Sequence, residues 1–201
     1  MQSIDVTGLA VGHDQGALDM ATQIIGDELT TTIDAVRAGL ATPDSDPVVT
    51  FVADCGLDEE YRASISIRDF TLRADEPPTI GGANTGPTPV ELTLASLGTC
   101  QEIVYATYAR ILGIPIDSIS VHTEGRLDLR GFYGVADVPV GFGDVSFVVD
   151  IASPASPEEI ERLVQTVNTH CPVLEMLRNP VPVTGSYQLN GETLAVDETQ
   201  A

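Results

Sequence analysis

The chain has no lysine, no tryptophan and only three cysteines in 201 residues. All nine of its basic residues are arginines, against 30 aspartates and glutamates, giving a formal net charge of -21. A surface this acidic repels nucleic-acid phosphates and anionic lipid headgroups, which argues against both as partners. The charge is read as a solubility feature and says nothing of a reaction. No apolar run approaches the roughly 20 residues needed to cross a bilayer. The N-terminus lacks the basic start and apolar core of a secretion signal. A cytoplasmic protein is expected. Cys55, Cys100 and Cys171 are too few for a disulfide framework, and in a reducing compartment a pair of cysteines is more often catalytic or redox-active than structural.

What is present is organised around one stretch, Gly81 to Leu112, a loop rich in glycine and proline that becomes a long apolar helix. Thr88 suits the N-cap, Pro89 the first helical position, and Glu91 closes a capping box with Thr88. Leu92, Leu94, Leu97, Ile103, Val104, Ile111 and Leu112 cover most of the helix surface, which predicts a buried central helix. Cys100 lies in its middle. Taken alone, a buried cysteine is more often a small hydrophobe than a nucleophile.

Residues 1–47 read as an extension: helical spacing from Gly16 to Leu40, interrupted at Gly26, predicts two short helices, and Ala41 to Pro47 reads as a linker. From Val48 to Arg73 the apolar period becomes two. VVTFVAD and YRASISIRDFTLRAD are expected as antiparallel strands, with CGLDEE, including Cys55, as the exposed turn between them. Arg62, Arg68 and Arg73 are normally solvated edge residues in such a setting, and one of them is a candidate to face Cys100.

Beyond the central helix, Ser118 to Leu129 and Val145 to Ile151 are strand-like, separated by a long glycine-rich connection. His122, on the first of these strands, has no metal-ligand partner at useful spacing and is read as structural. Ser156, Pro157 and Glu159 repeat the capping logic for a helix to about Thr169. In the following His170-Cys171-Pro172-Val173, Pro172 ends that helix and starts a short one. This places Cys171 near a helix N-terminus, where oriented amides favour a thiolate. Metal binding by Cys100, His170 and Cys171 is not expected, because no second short-spaced ligand pair exists. VPVTGSYQLN is expected as a final strand, followed by an acidic tail over 191–201.

Two motifs carry a family resemblance. GPTPVELTLASLGTC resembles the cysteine helix of the OsmC/Ohr family, the osmotically induced and organic-hydroperoxide-resistance proteins, and HCPVLEML resembles that family's second-cysteine motif. DLRGF and NPVPV are more similar to its broad OsmC-like branch. The resemblance covers 48–190. It implies an α+β fold with antiparallel sheets around a long buried helix, assembled as an intertwined homodimer with two sites at its interface.

It also implies a thiol peroxidase without a bound cofactor or metal. Cys100 attacks a small apolar hydroperoxide and becomes a sulfenic acid, and Cys171 condenses with it to a disulfide. An external dithiol, of lipoyl type in part of the family, is the implied reductant. Cys100 lies about three turns inside its helix, beyond the N-terminal dipole, and burial raises a thiol pKa. The family supplies an arginine from the N-terminal hairpin, matched here by Arg62 ahead of Arg68. A glutamate directly after the helix-initiating proline orients that arginine, and Val90 stands at this position. Glu91 is rotated by about 100° from it, and Glu102 is a weaker substitute. Three readings follow: a Cys-based peroxidase, a non-enzymatic small-ligand binder or oxidant sensor, and another thiol chemistry such as disulfide reduction or acyl transfer.

Overall fold

The computed structural model describes residues 27–196. The first helix, α1, spans Asp27–Leu40, immediately after Gly26. The earlier of the two helices expected in the extension lies outside the described residues. After turns over 41–44 the chain runs without regular structure to residue 53.

Three strands then form an antiparallel meander: β1 (Asp54–Glu59), β2 (Arg62–Ile67) and β3 (Phe70–Ala74). This corrects the expected strand bounds. VVTFVAD joins the sheet only at Asp54, and Cys55 is an exposed strand residue opposite Ile65 rather than part of a turn. The reversal falls at Glu60, with φ 48°, and a second one at Arg68, with φ 54°, splits the expected long strand in two. Tight hairpin turns need such positive φ angles, which glycine and asparagine usually supply. Neither residue marks these two sites, so the alternation runs through the second turn unbroken.

A single carboxylate shapes the loop that follows. Asp75, buried to 2% exposure, accepts from the backbone amides of Glu76 (2.8 Å), Ala83 (3.4 Å) and Thr85 (3.0 Å) and from the Thr85 hydroxyl (2.8 Å). The glycines of this loop are required by close approach: a Cβ on Gly82 would lie 1.8 Å from the Glu76 carbonyl oxygen, and one on Gly86 2.4 Å from that of Arg73. The loop thus delivers the chain to the next helix at a fixed place.

That helix, α2, spans Pro89–Leu112 with the expected Thr88–Glu91 capping box and ends at Gly113 in the left-handed conformation. Next come β4 (Ser118–Leu127), the one-turn α3 (Leu129–Phe132) within the glycine-rich connection, and β5 (Phe142–Ala152), antiparallel to β4 along its whole length. The helix α4 (Pro157–His170) carries the second capping box, and α5 (Pro172–Arg178) follows directly. The chain closes with a small hairpin of β6 (Tyr187–Leu189) and β7 (Glu192–Leu194). The final strand is therefore shorter than VPVTGSYQLN, and β7 takes up residues expected in the tail.

The core lies where α2 meets the β4–β5 pair on one side and α4 and α5 on the other. It gathers Leu97, Val104, Tyr105, Ala109, Ile114, Ile116, Leu163, Val167 and Leu174. Gly98 brings α2 close to β4, and the Thr123 hydroxyl donates to the Leu94 carbonyl (3.2 Å) across that contact. In a single chain α2 is not buried all round: Val90 and Ile103 remain 42% and 66% exposed.

The bonds to Asp75, those of Thr85 foremost, hold its carboxyl down to about 2, below its ordinary 3.8. Stability from these bonds is complete above about pH 4 and is lost as the pH falls towards 2. Asp75→Asn should lower the melting temperature at pH 7 and flatten the acid limb of stability against pH between those values. Thermal unfolding of both proteins from pH 7 to 2 checks this.

Candidate functional site

The structure brings the two buried-helix cysteines together from opposite sides of the core. Cys100 projects from the fourth turn of α2, and Cys171 sits at the break between α4 and α5, caused by Pro172. The Sγ atoms are 3.3 Å apart and both thiols are free. A disulfide needs about 2.0 Å, so the pair is reduced and within one small movement of bonding. Cys171 is buried to 1% exposure, whereas Cys100 is only partly buried. A reagent entering from solvent therefore meets Cys100 first.

Burial is the largest influence on the Cys100 thiol and pushes its pKa up. The Val173 backbone N–H, hydrogen-bonded to its sulfur, counteracts this in part, while the neighbouring Cys171 acts in the same direction as burial. Pro172 has no N–H, so Val173 is the first residue of α5 with a free amide to offer. Cys171 is the N-cap of α5, as the sequence predicts, and the Val173 amide at that helix start is hydrogen-bonded to the Cys100 sulfur. Val173, and Gln101 directly after Cys100, were missed. Gln101 is fully buried, and its side-chain amide has no hydrogen-bond partner among the described residues. A lone glutamine inside an apolar helix was the available signal.

The expected supporting residues are not gathered at the sulfurs. Arg62, the first residue of β2, donates from Nη2 to the Glu59 Oε2 at 2.6 Å. It lines a small cleft with Glu60, Tyr61, Asp75 and Ala83. Arg68 is at the β2–β3 turn, where its guanidinium stacks over Phe70 at 5.2 Å. Glu91 accepts from the Thr88 amide at 2.7 Å. The carboxyl of Glu76 is raised first by burial and then by the charges of Glu91 and Asp75. Glu91 therefore lies within electrostatic reach of Glu76. Glu102 is half-buried. No cation is among the influences on Cys100. His122 is exposed on β4, and among the described residues no group of His, Cys, Asp and Glu could hold a metal. No helix among them is long and apolar enough to cross a membrane.

The site is thus two facing thiols, one on the central helix and one at a helix break, within a mixed helix and antiparallel-sheet fold. The sequence matches the family model of the OsmC-like proteins over residues 81–186, and the chain belongs to that family. Among solved structures it is similar to the OsmC-like protein from Mycoplasma pneumoniae, with 20% identity and a TM-score of 0.57 over 66% of this chain and 89% of that one. It is also similar to an organic hydroperoxide resistance protein OsmC from Legionella pneumophila (21%, 0.52, covering 66% and 92%). A third is an organic hydroperoxide resistance protein from Elizabethkingia anophelis (17%, 0.52, covering 68% and 93%). At these identities the likeness establishes the fold. No match is found among curated protein sequences.

Because burial dominates at Cys100, its alkylation by iodoacetamide should be slower than that of a free thiol at pH 7, with a midpoint above the ordinary cysteine range. The rate measured against pH in a Cys55→Ser, Cys171→Ser variant diluted until it is monomeric checks this, and a midpoint below that range in the monomer would contradict it.

Proposed function

We propose that the chain is a Cys-based thiol peroxidase acting on organic hydroperoxides. The observation that carries the reading is the 3.3 Å contact between two free thiols, one reachable and one buried. The Cys100 thiolate attacks the outer peroxide oxygen, the O–O bond breaks, and the substrate leaves as an alcohol once protonated. Cys100 is then a sulfenic acid. The Cys171 sulfur displaces its oxygen as water, forming the Cys100–Cys171 disulfide. An external dithiol returns both to thiols and is itself oxidised to a disulfide. Burial of Cys171 favours this condensation over reaction with other thiols in solution.

The Val173 amide supports the thiolate and the later oxyanion on sulfur, because a fixed donor at the reacting atom costs no reorganisation during the reaction. The reaction further needs a cation that the single chain does not direct at Cys100, and a second copy is the natural source. The meander leaves Phe51, before its first strand, 90% exposed and Leu57 71% exposed. Among the described residues the β4–β5 sheet has two strands, each with an unpaired edge, and such pairs are marginal alone. An intertwined homodimer that pairs these edges and covers these side chains also lets an arginine such as Arg62 exchange Glu59 for the site. A lipoyl-type dithiol fits as reductant, and a cytoplasmic location fits free thiols.

The raised Cys100 pKa and the engaged Arg62 favour one alternative, an OsmC-like protein that binds a small ligand or senses oxidants without turnover. Stopped-flow reaction of the reduced protein with cumene hydroperoxide separates the two. The peroxidase loses two thiols per chain within the mixing experiment. Cys100→Ser abolishes the reaction, and Cys171→Ser consumes one equivalent and stops at a sulfenic acid that dimedone traps. A wild-type rate no greater than that of a free thiol removes the peroxidase reading in favour of the binder.

A further inference from the structure

The core behind Cys100 holds an unanswered polar side chain. Gln101 is 0% exposed, and neither its Oε1 nor its Nε2 has a hydrogen-bond partner among the described residues. It lies about 100° round α2 from Cys100, on the face that carries Leu97 and Tyr105 one turn to either side, both 1% exposed. An unpaired carboxamide in an apolar core is a net cost, and a leucine or methionine of similar size would be free of it. A glutamine here is matched to another state of the protein, one in which the amide finds partners.

Complementary groups lie at the end of α4. The Cys171 amide donates to the Val167 carbonyl at 3.0 Å. The next acceptor, the Asn168 carbonyl, would need the amide of residue 172, which is proline. The Thr169 carbonyl would need the Val173 amide, which is bonded to the Cys100 sulfur. The side-chain Oδ1 of Asn168 is also buried with no partner among the described residues. The final turn of α4 thus presents acceptors to which the helix ladder supplies no donor. Cys171, 3.3 Å from Cys100, sets that turn against the stretch of α2 that carries Gln101. A disulfide shortens the sulfur–sulfur distance by about 1.3 Å. The middle of α2 is fixed on β4 through Gly98 and the Thr123–Leu94 bond, so the approach is made by the α4–α5 junction.

We propose that Gln101 is a positioning residue for the disulfide state: as Cys171 closes on Cys100, the Gln101 carboxamide donates to the acceptors at the α4 end and holds the junction in its oxidised place. The bond is unmade in the reduced pair, and making it favours the disulfide. The proposal rests on the pairing of Cys100 with Cys171 in the peroxidase reading, but not on a hydroperoxide as the oxidant.

Glutathione keeps the two apart, because it poises the same couple with no hydroperoxide present. Cys100 and Cys171 lose two electrons and two protons as their sulfurs bond, and one glutathione disulfide becomes two glutathiones. In the Cys55→Ser protein, Gln101→Met should shift this equilibrium about tenfold towards the dithiol, roughly 30 mV for a two-electron couple. It should also raise the melting temperature of the reduced form by more than that of the oxidised form. With Gln101 in place, its side-chain amide protons should move downfield in the NMR spectrum when the disulfide forms. An equilibrium that Gln101→Met leaves unchanged or shifts the other way overturns the proposal. So do amide resonances that do not move downfield, or a pair that forms no disulfide at any glutathione ratio. A Gln101-dependent equilibrium in a protein that reduces no cumene hydroperoxide upholds the proposal and removes the peroxidase reading. A Gln101-independent one in a protein that does reduce it removes the proposal alone.

Discussion

The break between α4 and α5 is the constraint on which the site depends. Pro172 cannot donate a backbone N–H, so the α4 hydrogen-bond ladder cannot continue through it, and the chain re-enters a helix at once. That junction is packed against the middle of α2 by Leu163, Val167 and Leu174. Two consequences follow from one geometric event. Cys171 is buried against Cys100, and the first free amide of α5 is directed at the same sulfur. Neither would survive a continuous helix, in which residue 171 would be one more position on an α4 face.

The electrostatics of the pair are those of a restrained nucleophile. Burial holds the Cys100 proton on more strongly than water would, and the Val173 amide only moderates this. Two of the arginines expected to lower it further are engaged elsewhere, Arg62 by Glu59 and Arg68 by Phe70. At the start of α2, Asp75 and Glu91 spend their hydrogen bonds on the loop and the capping box. Among the described residues no cation is directed at the thiol, and in the proposed reading its activation comes from a second copy. Exposed apolar side chains on the N-terminal meander and open sheet edges fit a second copy in that role.

The elements legible in the sequence were those with strong local chemistry. Both long helices announce themselves through Thr88-Pro89 with Glu91 and Ser156-Pro157 with Glu159, where a side chain answers a free amide three residues on. The stop at Pro172 is equally local. The meander was less legible, because its turns at Glu60 and Arg68 place ordinary side chains in a conformation usually left to glycine or asparagine. Apolar alternation runs on through Arg68, and only strand pairing shows that the chain has reversed.

The sequence by itself determined the two caps, the central helix, and the fact that one cysteine is mid-helix and the other at a helix boundary, whereas the α+β class was what the family resemblance implied. All of these depend on residues within a few positions of one another. Only the tertiary structure decided that an α5 amide meets the Cys100 sulfur, that Glu91 lies within electrostatic reach of Glu76, that Arg62 is held by Glu59, and that α1 forms a cleft against α2. Each of these is a choice among several chemically acceptable partners. Spacing limits which groups can meet, but the packing of α2 against α4, α5 and α1 selects which of them do.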